Sequence, residues 1–360
     1  MPSNPCRHFF ALLALAAAAA TSAMAADGPQ MLILDNGSIR LEATPAFGGR
    51  VLSWHLAGEP NVLKVGQDAI RNQPRPQWSA SAGDVPYLGH DVWVGPQSQW
   101  WLHQEANPAR RQAAANWPPD PYLSLAPSRV VAQGPSEFTL EGVASPITGV
   151  RLRKSIRLAE ESADTVIFQA QAQNIRDSAV AWDLWFNSRV AASTRVFVPV
   201  ASPEKDMDLK ASTDPGTTAP THAWEQGMFT LSAARSDSPA IHRGKYRIQP
   251  SAGWMAGFAG HQVFLIRFEH QPRERIHPEQ GQVELYLDAA SRAPAEGLLE
   301  MEVHAPYRQL KPGERMQASE RWTLLRYDGP DDVRAQRAFL CEQSTRLDLT
   351  NSCVPEARIH

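Results

Sequence analysis

Residues 298–305 read LLEMEVHA, and their alternation decides the fold. In an extended chain, successive side chains point to opposite sides. Leu299, Met301 and Val303 therefore share one face, and Glu300, Glu302 and His304 share the other. VAWDLWFNS (180–188) repeats the arrangement, with Trp182, Leu184 and Phe186 opposite Asp183, Trp185 and Asn187. Strands of this kind pack one face on a core and leave the other open. Together the two segments predict a sheet whose open face gathers carboxylates, an amide and an indole.

The rest of the chain reads the same way. SIRLEA (38–43), RVLSWHL (50–56), EFTLEGV (137–143), VRLRKSIRL (150–158) and TVIFQAQAQN (165–174) alternate or are rich in branched residues. QVFLIRFEH (262–270), QVELYLDA (282–289) and ERWTLLRY (320–327) do likewise. Only 331–343, opened by Asp331 and Asp332, predicts a helix. Many strands, few helices and no βαβ rhythm predict an all-β protein, a large antiparallel sandwich or barrel with a short C-terminal helix. Residues 71–125 and 199–225 read as long irregular loops, which on a rigid scaffold often carry function. The first of them holds GHDVWVGPQSQWW (89–101), where three tryptophans stand beside His90, Asp91, Gln97 and Gln99. Flat rings suit the C–H face of a sugar, and amides and carboxylates suit its hydroxyls. A buried tryptophan cluster is the alternative, with Trp93 and Trp100 as core anchors.

Composition bounds the rest. Residues 1–25 have the form of a secretory signal peptide: Arg7, an apolar stretch FFALLALAAAAA, and small residues at Ala23-Met24-Ala25. Cleavage near Ala25 would leave 26–360 as one exported domain, periplasmic or secreted. No later run approaches the ~20 apolar residues of a membrane span. Without Arg7 the chain carries 34 basic and 38 acidic residues, which excludes the basic footprint of a nucleic-acid binder. With Cys6 in the leader, Cys341 and Cys353 remain, and an oxidising compartment favours their pairing. His222, His242 and His261 show no metal-ligand spacing, and neither metal nor cofactor is expected.

Several segments carry a resemblance. TPAFGGRVLSWHLAGEPNVL (44–63) resembles the start of galactose mutarotase-like proteins. GHDVWVGPQSQW is similar to a Gly-Gly-x-Lys-x-Trp-x-x-Pro-Gln motif of a secreted family in that superfamily, one classed as a domain of unknown function. SAGWMAGFAGHQVFLIRF (251–268), QVELYLDA and LEMEVHAPYRQLKPGERMQASERWTLL (299–325) resemble its later segments in the same order.

The resemblance implies the supersandwich of the aldose epimerases, with a sugar site on the concave face. In those enzymes a glutamate late in the chain removes the anomeric hydroxyl proton, a histidine protonates the ring oxygen, and the ring opens. The glutamate maps onto Glu300 or Glu302. DLWFNS stands where a His-x-Tyr-Phe-Asn-type motif is expected, which places Asp183 at the histidine's position. His90 is then the expected acid, by motif order. Arg71 lies where some epimerases carry a sugar-binding arginine, and Asp91, Trp93, Gln97, Asp183 and Trp185 complete the expected binding set. Two expectations follow. One is an exported protein that binds a mono- or oligosaccharide, with epimerase-like acid–base chemistry. The other is a non-catalytic envelope or glycan-binding module that retains only the fold.

Overall fold

Two large sheets face each other across an apolar layer in the computed structural model, which describes Met1, residues 28–233 and residues 235–353. The expected leader, apart from Met1, lies outside the described residues. The first sheet runs, in spatial order, Leu32–Asp35, Ile39–Thr44, Arg50–Leu56, His90–Gly95, Val180–Ala191, Leu298–His304, Val283–Ala290, Ile241–Ile248 and Met207–Ala211. The second runs His222–Glu225, Met228–Leu231, Arg195–Pro199, Trp254–Ala259, Gln262–Phe268, Arg315–Arg326, Thr165–Asn174, Val150–Leu158, Glu137–Glu141 and Arg129–Gln133. Among the described pairings only Thr217–Thr218 with Ile241–Ile248 is parallel. The all-β antiparallel sandwich read from alternation is the observed architecture.

Parity sets the core. Leu299, Met301 and Val303, with Leu184, Phe186, Val92 and Val94, point between the sheets. Phe168, Ala170, Trp322, Leu324, Phe264 and Ile266 meet them from the second sheet. The other face of the second sheet is apolar too, and the chain's end covers it. Helix Val333–Glu342 begins at Asp332, whose side chain accepts the Ala335 N–H at 2.9 Å, and it packs Leu340 on that face. Leu347 and Leu349 join it against Trp254, Phe258, Leu265 and Tyr327.

The structure corrects the loop assignments. HDVWVG, inside the supposedly irregular 71–125, is a central strand. Its six residues are all buried because both faces are covered, so no alternation of polarity shows. Within 199–225, Met207–Ala211 adds an edge strand and His222–Glu225 begins a hairpin. Ile241–Ile248 also went unread, although IHRGKYRI alternates.

A cavity of about 530 Å³ opens between the sheets, walled by Leu184, Phe186, Val303 and Met316. Glu320 points into this layer and is fully buried. Its carboxylate accepts the Trp322 indole N–H at 2.7 Å. Burial, opposed only by that bond, pushes its pKa up to about 8. The folded chain thus keeps a proton that the unfolded chain releases, and stability declines as pH rises from the ordinary glutamate range toward 8. Glu320→Gln is expected to melt above the parent at pH 8 and to match it near pH 4.5, in a calorimetric pH series.

The Cys341–Cys353 disulfide forms as the cysteine count predicts, closing a 12-residue separation at the helix end. Replacing both cysteines with serine is expected to cost about 3 kcal/mol, the entropy of so short a loop. Each buried leucine of the tail contributes roughly 1.5–3 kcal/mol, so the helix should stay docked at a lowered Tm. A Tm indifferent to reduction would show that the leucine contacts alone set tail stability.

Candidate functional site

The outer face of the first sheet carries three rows of cross-strand neighbours. One row is Asp91, Asn187, Glu302 and Glu284. The next is Arg189, Glu300, Tyr286 and Lys245. The third is Trp93, Trp185 and His304. Strand register alone therefore gathers residues more than 200 positions apart in the chain. Over these rows lies a cavity of about 550 Å³, roofed on one side by Asp84–Pro86 and Leu88.

The carboxylates sit at its floor. The Asn187 side-chain amide donates to Glu300 Oε1 at 3.1 Å and to Glu302 Oε1 at 3.0 Å. Arg189 Nε donates to Glu300 at 2.9 Å. The Lys245 ammonium reaches Glu302 Oε2 at 2.7 Å and Glu284 Oε2 at 2.9 Å. Burial raises the Glu302 pKa, and the neighbouring Glu300 and Glu284 charges add to the rise against Lys245. Burial works against the Lys245 charge, but the three glutamates outweigh it and hold the ammonium protonated. Glu284 goes the other way from Glu302: Lys245 and His304 overcome its burial and keep it ionised. Within one cluster, Glu302 is thus raised and Glu284 lowered from the ordinary glutamate value.

The walls are indoles. Trp185 stacks on the buried Trp100, ring centroids 5.7 Å apart, and meets Trp93 edge-on at 5.0 Å. The Arg189 guanidinium lies 4.8 Å from the Trp93 ring, and Lys245 Nζ lies 4.8 Å from the Trp185 ring. Burial pushes Tyr286 up to about 12, so its hydroxyl stays a donor. Two buried polar atoms on residues that line this cavity have no partner, Arg189 Nη1 and Trp185 Nε1. Buried polar groups are almost always paired, so two donors without acceptors on one wall are exceptional.

The expected site residues divide. Glu300, Glu302, Trp93, Gln97 and Trp185 line the cavity together. Arg71 does not; it sits exposed on helix Gln67–Asn72, paired with Asp68. His90 is corrected as the acid. Its ring lies between the sheets, edge-on to Phe168 at 4.7 Å and to Trp322 at 4.5 Å. Its Nδ1 meets Ser188 Oγ at 2.9 Å, and burial, with Lys154, Arg189 and Arg50 nearby, holds its pKa well below the usual histidine value. It is a neutral core residue facing away from the glutamates.

Asp183 is also corrected. It is fully buried, accepting the Gly95 N–H at 2.9 Å and facing His304 Nδ1 at 3.3 Å. Gly95 permits this approach, because a Cβ there would lie 2.6 Å from Asp183 Oδ1. His304 lies beneath Trp185, its pKa pushed up to about 9 by Asp183 and Glu284 against the effect of burial. Trp100 and Trp101 are core anchors, their indole N–H groups donating to the Val94 and Pro118 carbonyls.

Asp91 positions the site from below and does not face the cavity. It accepts Arg50 Nη2 at 2.6 Å, Lys154 Nζ at 3.0 Å, Trp93 Nε1 at 3.1 Å and its neighbour's Val92 N–H at 2.8 Å. Lys154 comes from the opposing sheet. Sequence reading missed Arg50, Asp84, Arg189 and Lys245. Arg189 was legible by carrying the parity of VAWDLWFNS one step further, and Lys245 by the alternation of IHRGKYRI.

Asp91 yields a stability test. Burial opposes its ionisation, but Arg50, Lys154 and Arg189 outweigh burial and hold its pKa below the usual aspartate value. Its contribution is present above the unfolded-state pKa and is lost as pH falls through the folded one. Asp91→Asn strands two buried cations and is expected to cost about 3–5 kcal/mol in denaturant unfolding at pH 7. The loss should shrink at acid pH.

Comparison with known proteins agrees with this fold. The structure of a putative aldose 1-epimerase from Klebsiella pneumoniae is similar at TM-score 0.51 and 14% identity, over 88% of this chain and 83% of that one. A protein of Synechocystis sp. is similar at TM-score 0.50 and 13% identity, over 83% of this chain and 96% of that one. At such identities the likeness concerns the fold alone. No curated protein matches the sequence. Residues 30–325 match the family described as Domain of unknown function (DUF4380), and the chain belongs to that family.

Proposed function

We propose that the protein is an exported carbohydrate-binding protein whose ligand occupies the indole-walled cavity, with Glu300 and Glu302 as its acid–base pair. One observation carries this reading: the unpartnered donors Arg189 Nη1 and Trp185 Nε1 on residues that line the cavity, beside the packed indoles of Trp93 and Trp185. Sugars present alternating apolar C–H faces and hydroxyl edges, which such a wall matches. The Cys341–Cys353 disulfide supports export, since such bonds persist in oxidising compartments.

The chemistry open to the pair follows from its asymmetry. Opening a sugar ring needs a base for the anomeric hydroxyl and an acid for the ring oxygen, two atoms bonded to one carbon. Glu300 is held by Arg189 as an acceptor, and Glu302 is the carboxyl whose pKa burial and like charge raise. Bridged by one amide, the two are placed to take a proton and return one on the same side of a ring. The second reading, binding without turnover, is favoured by a specific observation: among the described residues no histidine lines the cavity.

Calorimetry against a sugar panel tests binding. Arg189→Lys keeps the charge and removes the free Nη1, and it should weaken binding about tenfold or more, as for a lost charged hydrogen bond. Polarimetry on freshly dissolved sugars tests turnover. Glu302→Gln should then slow mutarotation about 10²–10⁴-fold, the usual weight of a positioned acid or base. Binding with no mutarotation in the parent selects the second reading, and no binding to any sugar overturns both.

A further inference from the structure

The mouth of the cavity is built differently from its floor. Trp93 and Trp185 are buried there, whereas Trp117 leaves 49% of its surface in water, the most exposed tryptophan among the described residues. A large apolar ring in water is unremarkable on a loose loop, but this loop is held on both sides of the ring. Gln97 Nε2 donates to the Asn116 carbonyl at 2.8 Å, and Trp101 Nε1 donates to the Pro118 carbonyl at 2.9 Å. Trp117 also leans edge-on against Trp93, centroids 6.3 Å apart. An indole fixed at three points and left open on its remaining surface is a preformed platform, and preformed surfaces bind without a large ordering cost.

Size points the same way. A hexose has the mass of about ten water molecules, and at about 30 Å³ per water it needs no more than roughly 300 Å³. The cavity offers about 550 Å³. One ring over Glu300 and Glu302 therefore leaves about 250 Å³, most of a second ring, whose remainder would project outward past the half-exposed Trp117 that lines the cavity.

We propose that the site takes an oligosaccharide of at least two sugar units, the unit beyond the glutamates stacking on Trp117 at the cavity mouth. The proposal rests on the carbohydrate reading above and narrows it to chains over single sugars. Trp117 carries affinity for the outer unit, and Gln97 and Trp101 act as positioning residues that hold its loop.

The test is calorimetric titration with matched pairs of probes: glucose against cellotetraose and maltotetraose, and galacturonic acid against tetragalacturonic acid. The parent is expected to bind at least one tetrasaccharide tighter than its monosaccharide. Trp117→Ala should remove about tenfold of tetrasaccharide affinity, the scale of a tryptophan anchor, with a much smaller effect on the monosaccharide. Trp117→Phe should restore part of the loss. The ring is largely exposed, so a matching melting curve would confirm that the variant is folded. Monosaccharide and tetrasaccharide binding with equal affinity, or Trp117→Ala weakening both equally, overturns this inference and leaves the carbohydrate reading intact. No binding of any probe overturns that reading, and this one with it.

Discussion

The carboxylate of Asp91 is the constraint on which the rest depends. Removing a charge from water is costly, and a buried carboxylate persists only when its lone pairs are filled. Here they are filled by groups from three places: Arg50 of the neighbouring strand, Lys154 of the opposite sheet and the Trp93 indole two residues on. Each bond has a consequence at the site. Lys154 ties the sheets together at this point, and it also donates to the Gly48 carbonyl at 2.6 Å. Arg50, fixed at Asp91, spends a second nitrogen on the Leu88 carbonyl at 2.8 Å and so holds the loop that roofs the cavity. Trp93, with its N–H committed below, can present only its ring above. A residue type that suggests ligand binding in the sequence is thus consumed in holding the binding surface in shape.

A second cluster explains the cavity floor. Glu284, Glu302 and His304 bring three ligand-type atoms within 4.8 Å, the pattern of a metal site. The donors are already engaged. Lys245 bonds both carboxylates, and His304, drawn up by Asp183 and Glu284, carries a proton in place of a lone pair. The positive charge that a cation would bring is supplied by the chain's own ammonium and imidazolium. The donor set therefore fits an internal ion network better than a metal.

Alternation carried much of the reading and failed where physics removes alternation. LLEMEVHA and VAWDLWFNS each show a polar and an apolar side, and their parity put Glu300, Glu302 and Trp185 on the cavity face correctly. HDVWVG shows no such sides, because the opposing sheet covers His90, Val92 and Val94 while loops cover Asp91 and Trp93. A strand buried on both faces has no periodic signature, so His90 could not be assigned a side from the segment alone. Parity of the partner strand fixes it: His90 pairs with Ser188, on the inward side with Phe186. Arg71 failed for a different reason. Its placement came from likeness of position, and the short helix Gln67–Asn72 turns it to solvent.

The exchange at Asp183 shows what kind of chemistry the remaining groups permit. Resemblance sets a histidine at this position; the chain has a carboxylate there and a histidine at 304, paired with it from the adjacent strand. The pair lies under Trp185, closed to the cavity, with Gly95 pressed against Asp183. An imidazolium held between Asp183 and Glu284 gives up its proton reluctantly, and its ring lies against Trp185, outside the lining of the indole-walled cavity. Its effect on the cavity is electrostatic: it favours the ionised form of Glu284, which in turn, with Lys245, sets the charge beneath Glu302. The carboxyls that line the cavity are instead those of Glu300 and Glu302. Their surroundings differ: Glu300 accepts from the Arg189 guanidinium, whereas burial and the neighbouring Glu300 and Glu284 charges raise the pKa of Glu302.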